Sequence, residues 1–213
     1  MRARHLVVPR TARYYAAGPT DRTPSEAWIV FHGYGFLASR FARAFEPIDD
    51  GNRLIVVPEA LSRFYLAGTA GQVGASWMTK EDRDREIHDQ VAYLDALADH
   101  LNLDGIPTHL LGFSQGSATA CRWLARGRVT PLRLIVWGGE IPPDLDWRAA
   151  GERFRRLDEV VLVTGTDDPY APPGALEAFA GLLTRHRVRH RTMVFPGGHR
   201  IEPGTLQRLA TGG

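Results

Sequence analysis

Apolar runs separated by amphipathic stretches set the rhythm of this chain. Residues 27–31 (AWIVF), 54–57 (LIVV), 108–112, 132–137 (LRLIVW), 159–164 (EVVLVT) and 191–195 are near-continuous apolar segments. Such runs mark strands covered on both faces, as in a parallel sheet. Helical spacing fills the intervals. Residues 80–101 carry Ile87, Val91, Leu94, Leu97, Ala98 and Leu101 on one stripe, with Thr79 as the expected cap. Residues 115–126 place Ala118, Cys121, Trp123, Leu124 and Ala125 at helical spacing, and residues 173–186 and 205–210 predict two further helices. A helix from Ser39 as cap through Phe45 and a short one within 144–158 complete the set.

Three stretches lack that rhythm. Residues 5–17 predict an N-terminal hairpin turning at residues 9–12, and Gly18-Pro19-Thr20-Asp21 then breaks the chain. Residues 59–78 hold aromatic residues and glycines with little periodicity and predict a long loop. Strand and helix otherwise alternate. The expectation is an α/β fold built on a mostly parallel, doubly wound sheet whose ligands sit beyond the carboxyl ends of the strands.

At one of those strand ends stands Gly112-Phe113-Ser114-Gln115-Gly116, a G-x-S-x-G pentapeptide between a strand and a helix. A chain that turns this sharply at a serine strains its backbone and projects the hydroxyl beyond the sheet. Gly112 and Gly116 are then steric necessities, because a Cβ at either would collide where strand and helix cross. The pattern also arises by chance, so it points to catalysis only with a base, an acid and an oxyanion site elsewhere.

Composition narrows the setting. The 213 residues fit one domain spanning 1–213, with 44% hydrophobic residues to build a core. Lys plus Arg number 26 against 24 Asp plus Glu, a net charge of +2 with both signs interspersed. Nothing there suggests a nucleic-acid surface. Cys121 is the only cysteine, which excludes an intrachain disulfide and a cysteine-built metal site. The apolar run at residues 6–8 is too short for a signal-peptide core, and no stretch approaches the ~18 apolar residues of a membrane span. A soluble, cytoplasmic protein without stable membrane insertion is expected.

The partners for Ser114 lie after later strands. Gly165-Thr166-Asp167-Asp168-Pro169 follows the 159–164 strand and Gly197-Gly198-His199 follows the last one. Ser, Asp, His is the chain order of an α/β-hydrolase triad, in which imidazole takes the serine proton and carboxylate orients the imidazole. His199 has seven competitors. His88, His100, His186 and His190 lie on or near polar helix surfaces, His5 and His109 fall at strand starts, and His32 adjoins the presumed oxyanion loop, where a structural hydrogen bond is expected. Spacing does not separate Asp167 from Asp168. His32-Gly33-Tyr34-Gly35 follows the first parallel strand, so Tyr34 N–H and Gln115 N–H are the expected oxyanion donors. Each such donor contributes on the order of 3 kcal/mol to lowering the barrier.

With FHGYG, GFSQG, GTDDPYAP and GGHRI assembled, the chain resembles the carboxylesterase, phospholipase and acyl-protein thioesterase family of small α/β-hydrolases over about residues 27–201. The resemblance implies Asp168 as the acid, because the family's acid is followed four residues later by a proline, here Pro172. It implies that Ser76-Trp77 lines the substrate groove, and that no metal or organic cofactor is needed. Ala171 stands where the family commonly has Val, and Tyr34 where it has Leu.

Between the strands at 132–137 and 159–164 lie only about twenty residues, too few for a separate cap domain. The site is therefore expected to be open, with Phe36, Leu37, Trp77 and Tyr170 as apolar walls. A serine carboxylesterase cleaving a small-molecule ester through an acyl-enzyme is the leading expectation. Lysophospholipase or acyl-protein thioesterase activity uses the same machinery, and a non-catalytic binding protein on the same scaffold is the rival of another class. Nucleotide binding is disfavoured because GFSQGS lacks the lysine of a phosphate loop.

Overall fold

The computed structural model describes residues 2–19 and 21–212. Nine strands and six helices alternate along these residues: β1 (Tyr14–Ala17), β2 (Glu26–Phe31), α1 (Ala38–Phe41), β3 (Arg53–Pro58), β4 (Ser62–Tyr65), β5 (Val73–Ser76), α2 (Arg83–His100), β6 (Thr108–Phe113), α3 (Gln115–Arg126), β7 (Arg133–Trp137), α4 (Trp147–Arg155), β8 (Glu159–Gly165), α5 (Ala175–Arg185), β9 (His190–Phe195) and α6 (Pro203–Ala210). Seven strands form one sheet in the order β1-β3-β2-β6-β7-β8-β9. All its pairings are parallel except β1 with β3.

Both faces of the sheet are covered, which is why its strands read as continuous apolar runs. Ile29, Phe31, Leu110, Leu134, Val136 and Leu162 point into a core with Trp77, Leu94, Trp123, Phe154 and Leu183. Their sequence neighbours Trp28, Val30, Leu111, Ile135, Trp137 and Val163 point the other way, against Phe41, Phe45, Leu206 and Leu209. Each large buried side chain contributes roughly 1.5–3 kcal/mol of apolar burial. Substitution on either face therefore loosens a full layer.

The strand order positions the site. The chain moves outward from β2 to β3 on one side, then restarts at β6 on the other, so the crevice between the carboxyl ends of β2 and β6 is a topological switch point. Phe31 pairs with Gly112 there. The loop after β2 and the turn after β6 are consequently neighbours.

Five expectations change. Residues 5–8 form no strand, and Leu6, Val7 and Val8 are exposed; β1 pairs with β3, because β3 is the edge that the N-terminal segment meets. Thr20, within the predicted chain break, lies outside the described residues. Residues 59–78 are not a plain loop but contain the antiparallel hairpin β4–β5. Ser39 does not cap α1, which continues as a 3-10 turn through Ala42–Ile48; the buried start of α1 is served by Glu59, whose Oε2 accepts from Ala38 N–H at 3.2 Å. Nor does Thr79 cap α2. That helix starts at Arg83, after Asp82 in the left-handed region (φ 46°), and Thr79 Oγ1 accepts from Glu81 N–H instead. His190 begins β9 and does not sit on a helix surface.

Candidate active site

Ser114 occupies the strained position that the sequence demands, with φ 54° and ψ −123° between β6 and α3. A non-glycine residue there costs on the order of 1–3 kcal/mol and persists only when its surroundings hold it. They do so on both sides. Ser114 N–H donates to Trp137 O of β7 at 2.9 Å, and Ser117 N–H donates to Ser114 O at 3.0 Å. A Cβ on Gly112 would strike Gly116 O and the Ser117 backbone, and one on Gly116 would strike Phe31 O of β2. The second collision adds to what the motif alone implied: Gly116 lets α3 press on the neighbouring strand, not only on its own.

Loops after β8 and β9 bring the other two residues together. His199 Nδ1–H donates to Asp168 Oδ2 at 2.8 Å, while Asp168 Oδ1 accepts from Tyr170 N–H at 2.9 Å. The Asp168 side chain is 2% exposed and that of His199 15%. Asp167 is exposed and accepts only from Thr166 Oγ1, so geometry separates the two carboxylates that spacing left equal. The imidazole is packed at 4.6 Å from the Phe113 ring and edge-on at 4.7 Å to Tyr170. Its loop is tied down by Trp137 Nε1–H, which donates to Arg200 O at 2.9 Å. Ser114 Oγ and His199 are not hydrogen-bonded, a contact that hydrolases often complete only with substrate in place.

Three imidazoles are buried or nearly so, and their second nitrogens distinguish them. His32 Nδ1–H donates to Gly33 O at 2.8 Å and its Nε2 accepts from Ala60 N–H at 3.1 Å. Burial lowers its pKa from the ordinary histidine value, with the Gly33 carbonyl and Glu59 opposing. It is a neutral structural link, as expected. His109 Nε2–H donates to Glu26 Oε2 at 2.9 Å and its Nδ1 accepts from Arg133 Nε–H at 3.1 Å. Of these three, only His199 keeps Nε2 without a partner among the described residues.

The loop after β2, where the oxyanion donors were expected, rests on the unexpected hairpin. Gly35 N–H donates to Ala75 O at 2.9 Å and Ala75 N–H to Phe36 O at 3.2 Å, so β5 clamps residues 35–36 from behind. The Tyr34 ring packs on Phe64 of β4 at 5.1 Å. Tyr34 N–H and Gln115 N–H have no acceptor among the described residues, whereas the adjoining Gly35 N–H and Ser114 N–H do. A Cβ on Gly33 would lie 3.1 Å from Ser114 Cβ, which puts this loop directly against the serine. The Gln115 side chain, for which no role was expected, secures the β5–α2 connection: its Oε1 accepts from Trp77 N–H at 3.0 Å and its Nε2–H donates to Met78 O at 2.9 Å.

A cleft of about 850 Å³ opens in front of Ser114. Of the four predicted walls only Tyr170 lines it. Trp77 is 2% exposed, donates from Nε1 to His32 O at 2.8 Å and packs edge-on to Phe31, so it is core beneath the loop after β2 and Met78 takes the wall position. Ser76, expected beside it in the groove, is buried with its Oγ–H directed to Met78 O. Phe36 is half-exposed against Phe41 and Phe113, and Leu37 packs on the core under α2.

Gly138 and Gly139 are site residues that sequence reasoning missed. Gly138 adopts φ +54°, and a Cβ there would lie 3.1 Å from both Asp168 Oδ2 and His199 Nδ1; one on Gly139 would strike Ser114 O and Ser117 Oγ. A glycine pair directly after a strand in the middle of the sheet was the available signal.

A sheet of this order with a serine elbow after its central strand defines an α/β-hydrolase. The profile of the phospholipase/carboxylesterase family matches residues 17–211, and the chain belongs to that family of α/β-hydrolases acting on esters. No curated protein sequence matches the chain as a relative. Among solved structures, Arabidopsis thaliana SOBER1 superposes with a TM-score of 0.70 at 19% identity, covering 87% of this chain and 96% of that one. Acyl-protein thioesterase 2 of Zea mays gives 0.70 at 20% identity over 94% and 97%. A phospholipase/carboxylesterase of Dyadobacter fermentans gives 0.66 at 16% identity over 96% and 97%. At these identities the likeness is one of fold. No helix among the described residues is long and apolar enough to cross a membrane.

Proposed function

We propose that the protein is a serine carboxylesterase with Ser114 as nucleophile, His199 as base and then acid, and Asp168 as the carboxylate that orients His199. The observation that carries this reading is the free Nε2 of His199 beside an elbow serine, with Nδ1–H already committed to Asp168. That tautomer leaves an acceptor for the Ser114 proton. As Oγ bonds to the ester carbonyl carbon, its proton passes to Nε2 and the carbonyl oxygen becomes an oxyanion facing Tyr34 and Gln115 N–H. Collapse expels the alcohol, which takes the proton from His199. Water then attacks the acyl-enzyme with His199 again as base, freeing the acid and Ser114.

The short 138–158 connection supports an open site, and a cleft of about 850 Å³ is of a size for a small ester. Thioesters and lysophospholipids would use the same machinery with another leaving group. The test is hydrolysis of p-nitrophenyl esters from acetate to palmitate, beside thioester and lysophospholipid substrates, by wild type and Ser114→Ala. Loss of about 10⁴-fold or more in turnover with unchanged thermal unfolding is expected for the variant. Unchanged turnover in Ser114→Ala would overturn the assignment. The chain-length and leaving-group profile ranks the substrates.

A further inference from the structure

The floor of the cleft is one face of α3. Ser114, Ala118 and Arg122 all line it, at the i, i+4, i+8 spacing that stacks residues along a helix. The serine stands at one end and the arginine at the other, their backbone positions about 12 Å apart by helical rise, with a small residue between them. Long helical side chains lean back towards the helix N-terminus, which shortens the gap between the two functional groups.

Arg122 is an unusual residue to bury there. Its side chain is 5% exposed. Nε–H and Nη2–H donate to Asp144 Oδ2 and Oδ1 at 3.2 and 2.9 Å, but Nη1 meets only Met78 Sδ at 3.1 Å. A thioether is a weak acceptor, so a buried cationic donor is left under-served on the cleft wall. Nor does Asp144 belong to Arg122 alone. Arg83 Nη2–H donates to the same Oδ1 at 2.9 Å and Arg126 Nη2 lies 3.8 Å from Oδ2. Burial works against the Asp144 charge, yet Arg122 and Arg83 hold its carboxyl well below the usual carboxylate range. One carboxylate thus serves three guanidiniums. Lys80 also lines this end and makes no ion pair among the described residues, while Glu140 is the acidic residue nearby and Glu177 lies on the α5 wall.

We propose that this end of the cleft binds an anionic terminus of the ester, a carboxylate or a phosphate accepted by Arg122 Nη1–H with Arg83 and Lys80 beside it. The selected substrate is then an ester whose reacting carbonyl and anionic group lie about 12 Å apart or somewhat less. This rests on the serine-hydrolase reading for Ser114, although the binding half stands without it. Arg122 would act as a specificity-determining residue and not in the bond-making steps. A charged hydrogen bond in such a setting is worth about tenfold in discrimination.

The test compares the p-nitrophenyl monoester of suberic acid, its neutral methyl ester and a chain-matched ester ending in a phosphate. Wild type should prefer an anionic ester over the neutral one by about tenfold in kcat/KM, carried mainly by KM. Arg122→Met combined with Asp144→Asn, which keeps the buried pair neutral, should bring that ratio to about one. Arg122→Lys should retain part of it, and Glu140→Gln should increase it. Preference for carboxylate or for phosphate identifies the source of the anion. A merely structural Arg122–Asp144 tie would lower all rates together and leave the ratio unmoved, which overturns the proposal, as does a wild-type ratio near one. Calorimetric binding of monomethyl and dimethyl suberate to Ser114→Ala separates the two readings. Absent turnover with selective binding of the monoanion would sink the hydrolase reading alone, and equal or absent binding of both esters would sink the anion site.

Discussion

Two imidazole–carboxylate pairs of nearly equal length stand at opposite ends of the sheet. His199 meets Asp168 at 2.8 Å beyond the carboxyl ends, and His109 meets Glu26 at 2.9 Å at the amino ends. Their surroundings differ completely. Around His109 every polar atom is spoken for: Arg133 donates to its second nitrogen, and Arg53 Nε–H and Trp28 Nε1–H donate to Glu26 Oε1 at 2.5 and 3.0 Å. Around His199 the chain withholds partners and side chains alike, leaving Nε2 open and placing glycines at 138, 139, 197 and 198. A satisfied network fixes structure, whereas an unsatisfied one in a strained frame is available for chemistry. Distance alone does not tell these histidines apart; the second nitrogen does.

The largest expected effect comes from exchanging the fate of the two histidines. His199→Gln should lower esterase turnover by about 10³–10⁴-fold with little change in thermal unfolding. His109→Gln should do the reverse, lowering stability by about 1–3 kcal/mol while turnover per folded molecule stays within about twofold. Ester hydrolysis and urea unfolding of both variants would show it. Equal activity losses would erase the distinction.

A smaller effect probes the space around His199. Gly138→Ala puts a Cβ 3.1 Å from both members of the pair, at a φ that alanine adopts at a penalty of about 1–2 kcal/mol. Displacing the imidazole by a few tenths of an ångström should reduce kcat by about 10–100-fold. The same change at Gly51, where no atom lies near, should leave kcat alone and affect stability only.

The smallest is a pH effect at the other end. Burial would raise the Glu26 pKa, but hydrogen bonds from His109, Arg53 and Trp28 bring it down to about 2. A depressed folded pKa means stabilisation that is full above the ordinary glutamate range and is lost as pH falls towards 2. Wild type should therefore lose about 1–2 kcal/mol more than Glu26→Gln between pH 5 and about 2.5, after allowance for screening. Urea midpoints across that range measure it.

The sequence made the central sheet and the elbow readable because each depends on local pattern. Residues 27–31 and 54–57 are apolar throughout since helices cover both faces, and Gly112 and Gly116 flank Ser114 since backbone passes there at contact distance. What stayed hidden depends on tertiary contacts. The β4–β5 hairpin lacks apolar alternation because one of its tasks is to hold residues 35–36 by backbone hydrogen bonds, which leave no side-chain signature. Trp77 looked like a pocket wall because an aromatic near a glycine-rich loop fits either role, and only its bond to His32 O shows it to be core. Thr79 and Ser39 have capping side chains, but α2 starts only after Asp82, whose side chain makes no capping bond, and the start of α1 is served by Glu59 from a distant part of the chain. Asp168 and Asp167 were separable only by where the β8 and β9 loops meet.

The most direct measurement of the central claim is labelling by a fluorophosphonate, followed by intact mass and peptide mapping. The account predicts one adduct per chain, on Ser114, formed at wild-type rate in His109→Gln and slowed at least about 10³-fold in His199→Gln. An adduct on another residue, or labelling of Ser114 that proceeds equally fast without His199, would contradict it.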